Sequence, residues 1–246
     1  MIERYRDLII IYEKDVAYVI SCDSLGAIGS KENDVLKVDE EIVGRATIKV
    51  ALAEALCIGA RPIVISDTLA VEMEPTGKRI IEAIKEELKE NGLADLLLTG
   101  STEENFPTSM TGIGITVVAR AKLSDLKVRK AKEGMLVSLL GYPLVGSEVI
   151  ASKDVLQLKD YVAISQSKEI IEAIPVGSKG IAYELGILEE ISGLKVERNI
   201  PSHIDIFKSG GPSSSCIIVH EKEAPSIVNL LDKPFNSIGK LIPSNI

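Results

Sequence analysis

Four acidic stations, each at or near the end of an apolar run, are the residues of this chain best suited to chemistry. Asp23 closes the run VAYVISC, Asp67 closes PIVIS, Glu103 and Glu104 follow LADLLLTG, and Glu54 is the only charge between Lys49 and Arg61. Carboxylates brought together repel unless a cation sits among them, and hard oxygen ligands favour magnesium. In a layered α/β protein, residues at strand ends converge on one crevice. The segment TGSTEENFPTSMTG, residues 99–112, adds hydroxyls and Asn105 to its paired glutamates and is longer than a hairpin needs. Each station also has a plainer reading: a solvated loop for 99–112, a turn former for Asp67, a solvent-facing helix position for Glu54.

The elements that must position these groups are legible from periodicity and punctuation. LIIIY and VAYVISC, split by the turn-like EKD, predict an antiparallel strand pair, followed by the loop DSLGAIGSKENDVLKV. A helix is predicted from Asp39 as N-cap through VGRATIKVALAEALCIGA, with Glu40 and Glu41 in its first turn and Gly59 as its stop. RPIVISDTLAVEM predicts a strand running into a loop, and PTGKRIIEAIKEELKENG a second helix with Pro75 near its start and Gly92 past its end. LADLLLTG and GIGITVVARA predict two more strands, both buried in the core. The fold class expected is α/β (α+β), with a mixed N-terminal sheet under helices.

A basic, polar stretch at 123–134 marks a boundary, giving an N-terminal domain over 1–122 and a smaller C-terminal α/β domain over 123–246. The second part carries the strand MLVSLLGYP, a helix-prone VGSEVIASKDVLQL, the segment EIIEAIPVGSKGIAYELGILEEISG and an extended LKVERNIP. After these come the Gly- and Ser-rich SGGPSSS, a strand CIIVHE and a short helix in APSIVNLLDK.

Composition narrows the function. With 246 residues, 46% hydrophobic and 26% charged, the chain buries a sizeable core. A net charge of −8 without clustered Lys and Arg argues against nucleic acid as a partner. Nothing at the N-terminus resembles a signal peptide and no apolar run reaches a membrane span, so a cytoplasmic location is expected. Cys22, Cys57 and Cys216 are read as reduced core residues, and two histidines, His203 and His220, exclude a histidine-rich zinc site.

In order and spacing, the stations resemble the aminoimidazole ribonucleotide synthetase superfamily, which includes thiamine-monophosphate kinase, selenophosphate synthetase, a hydrogenase-maturation protein and formylglycinamidine synthetase. CDSLGAIGSK is similar to that family's strand-ending aspartate loop, VDEEIVGRATIKVALAEALCIGARPI to its helix ending in Gly-Ala, and LLLTGSTEENFPTSMTGIGITVVARA to its Gly-Gly-acidic loop and following strand. The likeness covers residues 16–121. Ser101 stands where the family has a second glycine, Glu54 where it has aspartate, and RYRDL offers only Asp7 in place of a Gly-Asp-Asp segment. KEGMLVSLLGYPLVGSEV is similar to the start of the family's second domain, while VGSKG puts Lys179 where a carboxylate is usual. Within the family, the strings DSLGAIGSKENDVLKV, TLAVEMEPTGKRII and LTGSTEENFPTSMTG look most like the short α-ribazole kinases of cobalamin salvage.

The resemblance implies ATP and Mg2+ as cofactors, a nucleoside-like small-molecule substrate and a homodimer whose sheets pair into a closed barrel. By residue it implies metal binding by Asp23, Glu54, Glu103 and Glu104, and nucleotide contacts from Asp23, Ser24, Gly100, Ser101, Thr102 and Asn105. Asp67, with Asp7 behind it, is the candidate for orienting the acceptor hydroxyl. The alternatives are another ATP-dependent activating enzyme of the same superfamily, or a nucleotide-binding dimer without catalysis.

Overall fold

The computed structural model describes residues 1–223 and 225–244. The chain divides into two compact units, Met1–Ala55 with Ala60–Ser124, and Leu56–Gly59 with the chain from Asp125 onward.

The first unit is built on a six-stranded sheet. A two-residue turn joins β1 (Ile2–Tyr5) to β2 (Leu8–Glu13), and β2 turns back into the long β3 (Val16–Gly26). The loop after β3 holds a two-residue parallel pairing of β4 (Ile28–Gly29) with β5 (Leu36–Lys37) and leads to α1 (Glu40–Cys57). Next come β6 (Arg61–Leu69), a wide turn at Met73–Gly77, α2 (Lys78–Glu90), β7 (Leu97–Thr102) and β8 (Gly112–Lys122). The strand order is β1-β2-β3-β8-β6-β7, antiparallel throughout except for the parallel pair β6/β7.

One face of this sheet lies under the two helices. The Ser21 hydroxyl on β3 donates to the Ala51 carbonyl of α1 (2.7 Å), and Ile80, Ala83, Ile84 and Leu88 of α2 are buried. The other face bears a continuous apolar row, Ile9–Ile20–Val118–Val64–Leu97, running across β2, β3, β8, β6 and β7. This double apolar character explains one departure from expectation. LADLLLTG reads as a buried strand, but β7 is the sheet edge and Leu97 is 73% exposed. α2 likewise begins at Lys78, with Pro75 in the preceding wide turn.

The second unit carries an antiparallel sheet in the order β10-β12-β9-β13-β11, formed by β9 (Leu136–Gly141), β10 (Ile170–Pro175), β11 (Leu194–Arg198), β12 (Ser215–His220) and β13 (Phe235–Pro243). Its helices are α3 (Ser147–Ala151), α4 (Leu158–Gln166), α5 (Gly180–Ser192) and α6 (Ile227–Leu231). Val137, Leu139, Ile174, Leu185, Ile217, Val219 and Leu241 form its core. Two of these elements lack a distinct sequence signal: α4, started by a Gln157/Asp160 capping box, and β13, whose FNSIGKLIP mixes Gly, Pro and polar residues. The short helix read in APSIVNLLDK is α6; Ala224 lies outside the described residues.

Of the three cysteines, only Cys22 departs from the expected core position, while Cys57 and Cys216 are buried as expected. Cys22 is exposed, because its side chain lies on the sheet face without helices, opposite to that of Ser21. Cys57 and Cys216, far apart in sequence, are both buried with their sulfurs 3.9 Å apart. No helix among the described residues is long and apolar enough to cross a membrane.

Candidate functional site

The strand register gathers the acidic stations at one end of the first unit's sheet. Asp23 pairs with Ile115, Ile115 with Asp67, and Asp67 with Gly100. Directly paired residues share a face, so this row lies on the helix-covered side; with strands about 4.8 Å apart, the backbones of Asp23 and Asp67 stand about 10 Å from each other. One residue further, the row Ser24–Gly114–Thr68–Ser101 points to the opposite face. The residues expected to contact nucleotide are therefore brought to one end of the sheet but divided between its two sides.

Asp23 is half-buried, and loss of water pushes its carboxyl up to about 6, offset only in part by the Ser24 backbone N–H. Glu54 approaches the same end from α1. Its Oε2 accepts a hydrogen bond from Nη2 of Arg6 at 2.6 Å, with side chains 18% and 5% exposed respectively. Burial raises the Glu54 pKa, Arg6 opposes the rise, and the charges of Asp7 and Asp23 add to it. Asp7 itself is exposed on the turn between β1 and β2.

Asp67 is placed differently from the expected site-facing position. It is 2% exposed on the helix-covered side, and burial raises its pKa against the pull of Lys85 on α2. Its carboxylate lies over Gly100: a Cβ added there would fall 1.3 Å from Asp67 Oδ1. Gly100 thus acts here as the seat of a buried carboxylate.

The 102–111 loop is internally braced. Glu103 accepts the backbone N–H groups of Asn105 (2.7 Å) and Phe106 (3.2 Å), which lower its pKa. Glu104 accepts the Met73 N–H (2.8 Å) and the Thr102 hydroxyl (2.7 Å). The loop after β3 closes against its far end. Asp34 accepts both the N–H and the hydroxyl of Thr111, each at 2.7 Å, and Lys31 donates to Glu72 (2.6 Å) and the Thr108 carbonyl (3.1 Å). Arg6, Lys31, Asp34 and Glu72 are site-end residues that the sequence reading does not single out. Only Lys31, ending the loop string DSLGAIGSK, has a visible signal.

The donor set suits a hard cation in part. Among the described residues no cation is paired with Asp23, which fits a divalent ion, whereas Glu54 is held by Arg6 and the two loop glutamates are engaged by backbone N–H groups. Among the described residues, no group of three or more His, Cys, Asp or Glu stands ready to hold a metal.

Residues 6–121 match the sequence profile of the family described as AIR synthase related protein, N-terminal domain. Solved structures share the fold over nearly the whole chain. The protein tt0281 from Thermus thermophilus is 18% identical with a TM-score of 0.69, over 97% of this chain and 86% of that one. The structure described as AaThiL complexed with AMPPCP and TMP is 16% identical with a TM-score of 0.67, over 97% and 85%. The thiamine-monophosphate kinase from Stenotrophomonas maltophilia K279a is 16% identical with a TM-score of 0.65, over 99% and 89%. None of the curated proteins compared matches the chain.

Proposed function

We propose, from the match of residues 6–121 to the profile of the AIR synthase related protein N-terminal domain, that the chain is an ATP-dependent phosphotransferase acting on a small-molecule alcohol. The observation that carries the reading is Asp23: a desolvated carboxylate with no cation paired to it among the described residues, three residues from the end of the central strand β3 and beside a loop closed by Lys31. Fold relatives described as a kinase and as a complex with an ATP analogue support the same class.

Phosphoryl transfer needs alignment and charge screening more than covalent chemistry. Magnesium, when bound, would screen the triphosphate, and Asp23 is the residue that would hold it. Lys31 carries a second positive charge on the same loop, which a phosphate could draw from Glu72. The hydroxyls of Ser24 and Ser101 and the loop carrying Thr102 and Asn105 would line the nucleotide. Asp7, exposed on its turn, orients the acceptor hydroxyl; Asp67, buried over Gly100, keeps the β6/β7 end in shape.

For the acceptor we propose the 5′-hydroxyl of α-ribazole, on the strength of the strings DSLGAIGSKENDVLKV and LTGSTEENFPTSMTG. The apolar row on the uncovered sheet face supports pairing with a second copy of the chain. The test is incubation with magnesium-ATP and, separately, α-ribazole or thiamine monophosphate, with mass spectrometry of the products. α-Ribazole monophosphate is the result expected. Thiamine diphosphate instead would keep the class and move the substrate; no product from either would sink the reading.

A further inference from the structure

Arg6 is pinned. Tyr5 pairs with Leu8, so Arg6 and Asp7 form a two-residue hairpin turn, with Arg6 in the left-handed region at φ 57°. That turn sends the guanidinium inward, where the side chain is 5% exposed and meets Glu54 at 2.6 Å. Glu54 is the only charge between Lys49 and Arg61, on a helix whose neighbouring Ala53 and Ala55 are fully buried. Asp7 and Asp23 both act electrostatically on it. A buried, permanently charged guanidinium thus sits against a carboxylate whose charge is disfavoured by Asp7 and Asp23.

We propose that Arg6 is the resident counter-cation of this acidic region and a positioning residue: it holds Glu54 turned toward the hairpin, leaving Asp23 and not Glu54 to receive a divalent ion that arrives with nucleotide. A metal ion taking Glu54 would have to break a buried charge-assisted bond, which is costly. The longer arm of glutamate, compared with aspartate, suits the reach from helix to hairpin. The inference rests on the nucleotide-site reading of the same strand end.

Titration of Mn2+ on the full chain, followed by electron paramagnetic resonance with and without AMPPCP, tests it. With nucleotide, Glu54→Gln should keep Mn2+ affinity within about threefold of the parent, while Asp23→Asn should lose at least about tenfold. Without nucleotide, Arg6→Gln releases Glu54 and should tighten Mn2+ binding by about tenfold, and Arg6→Lys should restore the parent value. If Glu54→Gln loses as much as Asp23→Asn, or Arg6→Gln gains nothing, the assignment is overturned. A parent protein that binds no nucleotide would sink the kinase reading alone, because the nucleotide-free Arg6→Gln titration still decides what Arg6 does.

Discussion

The contact between Asp67 and Gly100 shows how one missing side chain permits another. A Cβ at Gly100 would fall on the Asp67 carboxylate, so Gly100→Ala should cost about 1–3 kcal/mol by overpacking. In an Asp67→Ala background the same substitution should cost almost nothing, and urea unfolding of the four proteins gives the coupling directly. Asp23 makes a pH prediction. Its carboxyl is raised from 3.8 to about 6, so in that interval the unfolded chain has released a proton that the folded chain keeps. The stability from this group is complete below the lower value and lost as pH rises through the upper one. Asp23→Asn should flatten that part of the stability–pH profile, as thermal unfolding across about pH 3–7 will show. Asp23, Glu54 and Gly100 are legible because motif strings carry them. The burial of Asp67 is not, because RPIVISDTL is apolar at both strand parities and cannot say which face its aspartate takes.

Between elements, α1 approaches α2 closely. A Cβ at Gly44 would stand 2.6 Å from the Ile80 carbonyl oxygen. One turn of charge locks the same pair: Arg45 on α1 reaches Glu87 (2.5 Å) and Glu90 (2.8 Å) on α2. Gly44→Ala should therefore push the helices apart and cost about 1–3 kcal/mol, read as a lowered denaturation midpoint with little change in the denaturant slope. Both helices are readable because caps and apolar stripes coincide in them. The edge position of β7 is not, since LADLLL has a core strand's composition and only the strand order places it at the rim. β13 escapes a sequence reading because its pairing with β9 and β11 is nonlocal, and its Gly239 is accommodated by a close backbone approach that no local pattern announces.

For the whole molecule, the sheet face without helices is the feature to explain, because the row of five apolar side chains across it includes exposed Ile9 and Leu97 and the half-buried Ile20, Val64 and Val118. Light scattering at micromolar concentration should give about twice the chain mass of 26.5 kDa. Replacing Ile9, 38% exposed, by Lys should shift the protein toward the monomer. The likeness of residues 6–121 to the family profile is legible from three ordered segments, but the pairing of Arg6 with Glu54 is not, because it joins residues 48 apart in the chain. The central claim is that the strand end carrying Asp23 is a metal-assisted ATP site. Calorimetric titration of ATP into the parent and into Asp23→Asn, each with and without magnesium, addresses it most directly. The account predicts saturable binding by the parent, tightened by magnesium, and at least about a tenfold weaker magnesium-dependent affinity in the variant. Equal binding by both proteins, with magnesium making no difference, would contradict it.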